Sequence, residues 1–218
     1  MEAGHVAPAS PPPPSTPAPA GAAIGWGIAN PIAVGVAGFA LTTFMLGMVN
    51  ANLISGSDTI AVLSVAGAYG GLVQLLAGMW AFRAGNTFAA TAMSGYGGFW
   101  ISFVLLVQFF LPEVAKSGGA AAASHAVAIY LFCWGFFTFY LWLASFKTNV
   151  AVFLVFLTLW IAYGLLGWGD LNGGHYVIKD IGGAVTIACA VLAWYLASAE
   201  VINDTWGRTV LPLGPLNT

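Results

Sequence analysis

Residues 87–111, TFAATAMSGYGGFWISFVLLVQFFL, run from a polar start to an aromatic finish without a single Asp, Glu, Lys or Arg. A helix of about 20 residues spans the roughly 30 Å of hydrocarbon in a bilayer, so this stretch predicts a membrane-crossing helix. Carried outward in both directions, the same reading finds apolar stretches at 31–53, 59–81, 124–146, 150–169 and 180–202, separated by short polar breaks. The expected fold class is an all-α integral membrane protein with six transmembrane helices per subunit. The charges agree with this division. Asp58, Arg83, Glu113, Lys116, Lys147, Asp170, Lys179, Asp180, Asp204 and Arg208 fall in or beside the breaks, where insertion costs least. Glu200 alone sits inside a predicted span, near its end.

Composition excludes whole classes of function. The 218 residues are 60% hydrophobic and 6% charged, against about 25% charged in an average soluble domain, and a soluble globular protein does not fit. A formal net charge of −2 supplies no basic field for a nucleic-acid backbone, so no nucleic-acid partner is expected. Cys133 and Cys189 both lie in apolar stretches and lack the short spacing of a zinc site. His5, His125 and His175 fall in the tail, at the start of the fourth span and in a Gly-rich loop. No metal and no cofactor is expected. There is no Ser-His-Asp arrangement with a nucleophile elbow, no His-Glu-x-x-His and no phosphate-cradling loop, so the chain is read as a non-enzyme.

Three regions follow. Residues 1–23 form an Ala/Pro-rich tail including Pro11 to Pro14, without the basic and apolar regions of a signal peptide, and are expected to be disordered. Residues 24–203 form the six-helix transmembrane channel domain, and 204–218 a C-terminal tail. With a cytoplasmic N-terminus, Arg83, Lys147 and Arg208 lie inside and Lys116 and Lys179 outside. That bias, with Trp26, Trp80, Trp142 and Trp206 at one interface, places both termini on the cytoplasmic side of an inner or plasma membrane.

Inside a bilayer the informative residues are polar, because each needs a partner or a water-filled path. The first span carries Phe39, Thr43 and Asn50 on one helical face with Thr42 beside it. The second adds Gln74 on a stripe with Gly67, Gly71 and Gly78, and the third carries Thr87, Thr91, Ser94 and Gly98 on another. Small residues four apart let helices approach closely. Neutral hydroxyl and amide donors suit a small carboxylate without holding it as an ion pair, and equally serve as contacts between helices.

Specific strings resemble the acetate uptake transporter family, the succinate–acetate permeases. Asn30-Pro31-Ile32-Ala33-Val34-Gly35-Val36, followed by Gly38-Phe39 and Thr42-Thr43, is similar to the family's opening motif Asn-Pro-Ala-Pro-Leu-Gly-Leu, with Ile32, Ala33, Val34 and Val36 as departures. Tyr69-Gly70-Gly71 with Gln74, Gly85-Asn86-Thr87-Phe88 leading to Ser94-Tyr96-Gly97, and Glu200-Val201 through Gly207-Arg208-Thr209-Val210-Leu211-Pro212 match in order and spacing. The resemblance implies a six-helix subunit with its own pore, a homo-hexamer in membrane lipid, and acetate or related small carboxylates, including succinate, as substrates. It implies a hydrophobic constriction of Phe39, Tyr96 and Leu159, with Leu157 in the alternative register. It also implies pore-lining roles for Asn30, Thr42, Thr43, Gln74 and Ala193. On a straight third helix Tyr96 points away from the Thr87–Thr91–Ser94 stripe, so the stripe packs against a neighbour or the helix is irregular.

The expected function is an acetate channel or transporter that combines neutral polar groups with a Phe/Tyr/Leu gate. The alternatives are a channel for a neutral small solute such as urea or ammonia, and a non-conducting membrane scaffold whose polar stripes only hold helices together.

Overall fold

A computed structural model describes residues 27–173 and 176–216; the expected tail at 1–23 and His175 lie outside the described residues. Six labels cover the helices. They are α1 (Ile32–Asn50), α2 (Gly56–Arg83), α3 (Thr87–Leu105), α4 (Leu111–Ser145), α5 (Val150–Leu171) and α6 (Tyr176–Trp206). Among the described residues, five helical runs are long and apolar enough to cross a membrane, because α3 and α4 join through a π-helical turn at Leu106–Phe110 into one run, Thr87–Ser145. That run leaves helical geometry at Gly119, whose φ of 77° lies in the left-handed region that glycine adopts without a Cβ clash.

Beyond the break α4 lies back along α3. Tyr96, Phe99 and Ser102 of α3 meet Thr138, Trp134 and Tyr130 of α4, in reverse order along the chain. The fourth apolar stretch is expected from 124; helix already resumes directly after the break at Gly119, because Ala120 to Ala123 are strong helix formers whatever their hydropathy. The last helix likewise runs to Trp206, through the expected boundary at 203/204.

The helices start where the sequence supplies caps. Asn30 Oδ1 accepts the Ile32 N–H at 3.0 Å, Asn86 Oδ1 accepts Ala89 N–H at 3.0 Å, and Asn149 Oδ1 accepts Val152 N–H at 2.9 Å. Each satisfies a first-turn donor that has no partner within its own helix. The N-termini of α1, α3 and α5 therefore lie at one end of the bundle, the end where α6 finishes. At the opposite end Asn52 Nδ2 donates to Asp180 and Lys179 Nζ pairs with Asp170 at 2.7 Å.

Two kinds of packing close the bundle. On one side backbones touch. A Cβ on Gly78 would lie 2.5 Å from Ser94 N, one on Gly97 2.6 Å from Leu75 N, one on Gly38 2.8 Å from Tyr69 O, and one on Gly183 2.3 Å from Ala51 N. These contacts join α1 to α2 and α6, and α2 to α3. The α2 stretch involved, Ala66–Val73, is π-helical, a widened turn that helices use at functional sites. Ser94 packing on Gly78 places that part of the stripe against α2, while Tyr96 turns inward and is buried. Gly98 has nothing within 4 Å of its Cβ position and takes no part.

On the other side aromatic rings fill the space between α3, α4 and α5. Phe99 lies within 4.9–5.9 Å, centroid to centroid, of Trp100, Phe103, Tyr130, Trp134 and Tyr163. Trp142 stacks on Trp160 at 5.6 Å and 7°. The residues after α6 return over the start of α5. Val150 N–H donates to Gly214 O at 2.7 Å, Ala151 N–H to Leu213 O at 3.2 Å, and Leu216 N–H to Thr148 O at 2.9 Å.

Candidate functional site

Two cavities enter the bundle from its opposite ends. The larger, about 590 Å³, opens among the N-termini of α1, α3 and α5 and is lined by Asn30, Asn86, Lys147, Asn149, Glu200 and Asp204 at its mouth, with Phe39, Gln74, Met93, Tyr96, Phe156 and Leu159 deeper in. The smaller, about 210 Å³, opens near Asn50, Asp170, Lys179 and Thr186 and reaches Phe39, Thr43, Trp100 and Leu159. Phe39 and Leu159 are the residues common to both linings.

The ring environment at this waist is crowded. Phe39 and Tyr96 have centroids 5.6 Å apart, Tyr96 and Phe156 6.1 Å, and Phe137 meets Tyr96 edge-on at 5.4 Å and 88°. Phe39, Tyr96, Phe156 and Leu159 are all buried. Leu159 rather than the partly exposed Leu157 occupies the shared position, because only the former faces inward from α5.

Polar atoms without partners mark both cavities. Gln74 is fully buried on α2; its amide nitrogen reaches only the weak acceptor Met93 Sδ at 3.9 Å, and Oε1 has no hydrogen-bond partner among the described residues. Thr43 Oγ1 and the Trp100 indole N–H are also buried and unpartnered. Leaving such groups unpaired costs about 1–3 kcal/mol each, a cost removed when an occupant of the cavity bonds to them. The amide presents a donor and an acceptor, whereas Thr43 and Trp100 each bring a hydrogen to a carboxylate.

The other residues expected along the pore have different surroundings. Thr42 lines neither cavity: its hydroxyl donates to Gly38 O at 2.9 Å, and it packs where a Cβ on Gly70 would lie 2.5 Å away. Ala193 is fully buried in the core and also lines neither. Asn30 does line the larger cavity, but its side chain caps α1 through Oδ1 and donates from Nδ2 to Glu200 Oε2 at 2.7 Å. The Asn30–Glu200 pair, Trp100 and Met93 were missed from the sequence. Two of them carried a signal: Glu200 as the one charge inside a predicted span, and Trp100 because it stands mid-span, away from the interfaces where Trp usually sits.

Residues 17–218 match the GPR1/FUN34/yaaH family. The chain is 33% identical to the succinate-acetate/proton symporter SatP of Escherichia coli K12 over 187 residues, 86% of this chain and 96% of that one. It is 36% identical to acetate permease A of Emericella nidulans, covering 85% of this chain and 65% of the permease. A solved structure of the bacterial acetate channel SatP superposes with a TM-score of 0.77 at 34% identity, covering 86% of this chain and 99% of that chain. These relatives are transporters or channels by name, not enzymes, and with the apolar helices they make this chain a multi-pass membrane protein.

Proposed function

The chain belongs to the GPR1/FUN34/yaaH family, and from that premise we propose that it conducts acetate and related short carboxylates, succinate among them, across the cytoplasmic membrane. The observation that carries this reading is the meeting of the two cavities at Phe39 and Leu159, with unpartnered polar atoms on either side, Gln74 in one and Thr43 and Trp100 in the other. Phe39, Tyr96 and Leu159 form the constriction. They admit a methyl group and resist bulkier or more heavily hydrated solutes. Gln74, Thr43 and waters replace part of the hydration shell on each side, and such weak, repeated sites favour passage over capture.

An acid with a pKa near that of Glu, about 4.3, is more than 99% anion at pH 7. The positive ends of three helix dipoles, those of α1, α3 and α5, flank the larger cavity and favour an anion there. Thr42 and Ala193 act by close packing behind this path, and Asn30 by holding Glu200 at its mouth.

We further infer six membrane crossings, with α3 and the part of α4 after Gly119 crossing separately, both termini cytoplasmic, and one pore per subunit. Residues 24–203 make up the channel domain, flanked by the 1–23 and 204–218 tails. Exposed apolar side chains such as Ile129, Phe136 and Tyr140 on α4 are covered by lipid and by neighbouring copies in a homo-hexamer.

The test is radiolabelled acetate flux into liposomes holding the purified protein, at two pH values and with a membrane potential of either sign. Flux that follows the potential identifies an anion channel; flux that follows pH alone identifies passage of the neutral acid or proton symport. Uptake no greater than in empty liposomes overturns the reading.

A further inference from the structure

Tyr96 reaches the waist from α3, yet its hydroxyl is tied to α4. Tyr96 Oη lies 2.9 Å from Thr138 Oγ1, and Thr138 Oγ1 donates to Trp134 O at 2.8 Å. A threonine hydroxyl has one hydrogen. With that hydrogen on the Trp134 carbonyl, Thr138 accepts, and the Tyr96 O–H is the donor. Tyr96 and Thr138 are buried, and the chain Tyr96 O–H to Thr138 O–H to Trp134 C=O has one direction.

We propose that Thr138 is a positioning residue for the constriction: by accepting the Tyr96 hydrogen it holds the phenol edge against α4, so that the waist receives the ring and not a hydrogen-bond donor. The inference rests on the transport reading above. Its physical content is a choice between two roles for one tyrosine. A free phenol at the waist would donate to a passing carboxylate and draw it in. A phenol already committed leaves a dry aromatic wall, with Phe39, Phe137 and Phe156 around the ring. Thr138 lines neither cavity, so it acts only through Tyr96. Phe137, which meets the Tyr96 ring edge-on, is itself seated over Gly95 with no room for a Cβ between them.

The experiment measures acetate and butyrate uptake by the full chain in liposomes for wild type, Thr138→Val, Thr138→Ser, Tyr96→Phe and the Tyr96→Phe/Thr138→Val double variant. Valine keeps the shape of threonine and deletes the acceptor, so the phenol edge is no longer held against α4 and size selection at the waist loosens. The acetate-to-butyrate ratio is expected to fall about 3- to 10-fold, the range set by one buried hydrogen bond. Serine keeps the acceptor and restores the ratio to within about twofold of wild type. In the Tyr96→Phe background the valine substitution adds nothing.

A wild-type ratio in monodisperse Thr138→Val overturns the proposal, as does an equal effect of valine with or without the Tyr96 hydroxyl. If Thr138→Val does not fold, Thr138→Ala is read on the same ratio. If wild type carries no acetate, the transport reading fails separately. The same four single and double variants then decide the hydrogen bond by thermal unfolding, where additive effects would remove it.

Discussion

The two walls of the bundle are built on opposite principles. Where α1, α2, α3 and α6 meet, Gly38, Gly78, Gly97 and Gly183 bring backbone against backbone, and the first atoms a methyl group would strike there are main-chain nitrogens and oxygens. Where α3, α4 and α5 meet, the helices are joined largely through rings, with Tyr130 Oη donating to Phe99 O as a bond to the main chain. A backbone contact has no slack, whereas a side-chain contact can shift by a rotamer. The passage lies between the walls and draws different things from each: Gln74 and Thr43 from the rigid one, Tyr96 and Leu159 from the yielding one. Fixed polar groups and movable bulk are thus divided between the two.

The hardest test of this contrast is Gly183→Ala. Its methyl would meet Ala51 N at 2.3 Å, and the expected loss is about 3 kcal/mol, at the upper end of overpacking effects. The check is the yield of monodisperse protein and its thermal midpoint; an unchanged midpoint would show that the backbone seam can part. Phe39→Ala should relax size selection, with butyrate uptake rising about tenfold relative to acetate if the ring contributes one or two kcal/mol to the barrier. Unchanged uptake of both acids would remove Phe39 from the gate.

Trp100→Phe deletes an unpartnered N–H while keeping a ring. Acetate half-saturation is expected to rise about 3- to 10-fold, the net worth of one hydrogen bond of about 1 kcal/mol, with the thermal midpoint unmoved; a fall in stability with unchanged half-saturation would make Trp100 a packing residue only. On the aromatic wall Phe137→Leu should cost about 1 kcal/mol, the worth of an edge-on aromatic pair, and a cost matching that of Gly183→Ala would erase the distinction between the walls. The smallest effect belongs to Gly98→Ala, which has no atom within 4 Å of the added methyl and should leave both stability and flux unchanged.

Much of this contrast was invisible in one dimension. The apolar stretches and their breaks were legible because hydropathy and charge cost act on each segment alone. The glycine stripe on α2 was legible as spacing, and Gly71 and Gly78 do meet α3, but Gly67 shares the spacing and touches only Val104 at 4.0 Å. Gln74 stood out as an amide in mid-span and Phe39 through the helical face it shares with Thr43, whereas Tyr96 was reached only through motif resemblance. Thr42 and Thr43 could not be told apart, because adjacent positions on a helix differ by about 100° of facing, and only the partner helix decides which faces a cavity. The π-helical turn at Ala66–Val73 left no trace in periodicity. Thr138 is one hydroxyl in a run of aromatics, and nothing local says that a tyrosine 42 positions earlier points at it.

The strap formed by Leu213, Gly214 and Leu216 has a bearing on how the protein is made. The N–H groups of Val150 and Ala151 open α5, yet their acceptors are Gly214 O and Leu213 O, which leave the ribosome only after every helix of the bundle has been translated. Until then the start of α5 keeps these two donors unsatisfied, and the neighbouring Asn149, whose Oδ1 accepts from Val152 N–H, stands at the mouth of the larger cavity. Completion of the entrance is thereby deferred until the segment after α6 has been made, so that a nascent subunit with all its helices translated but no strap does not present a finished portal.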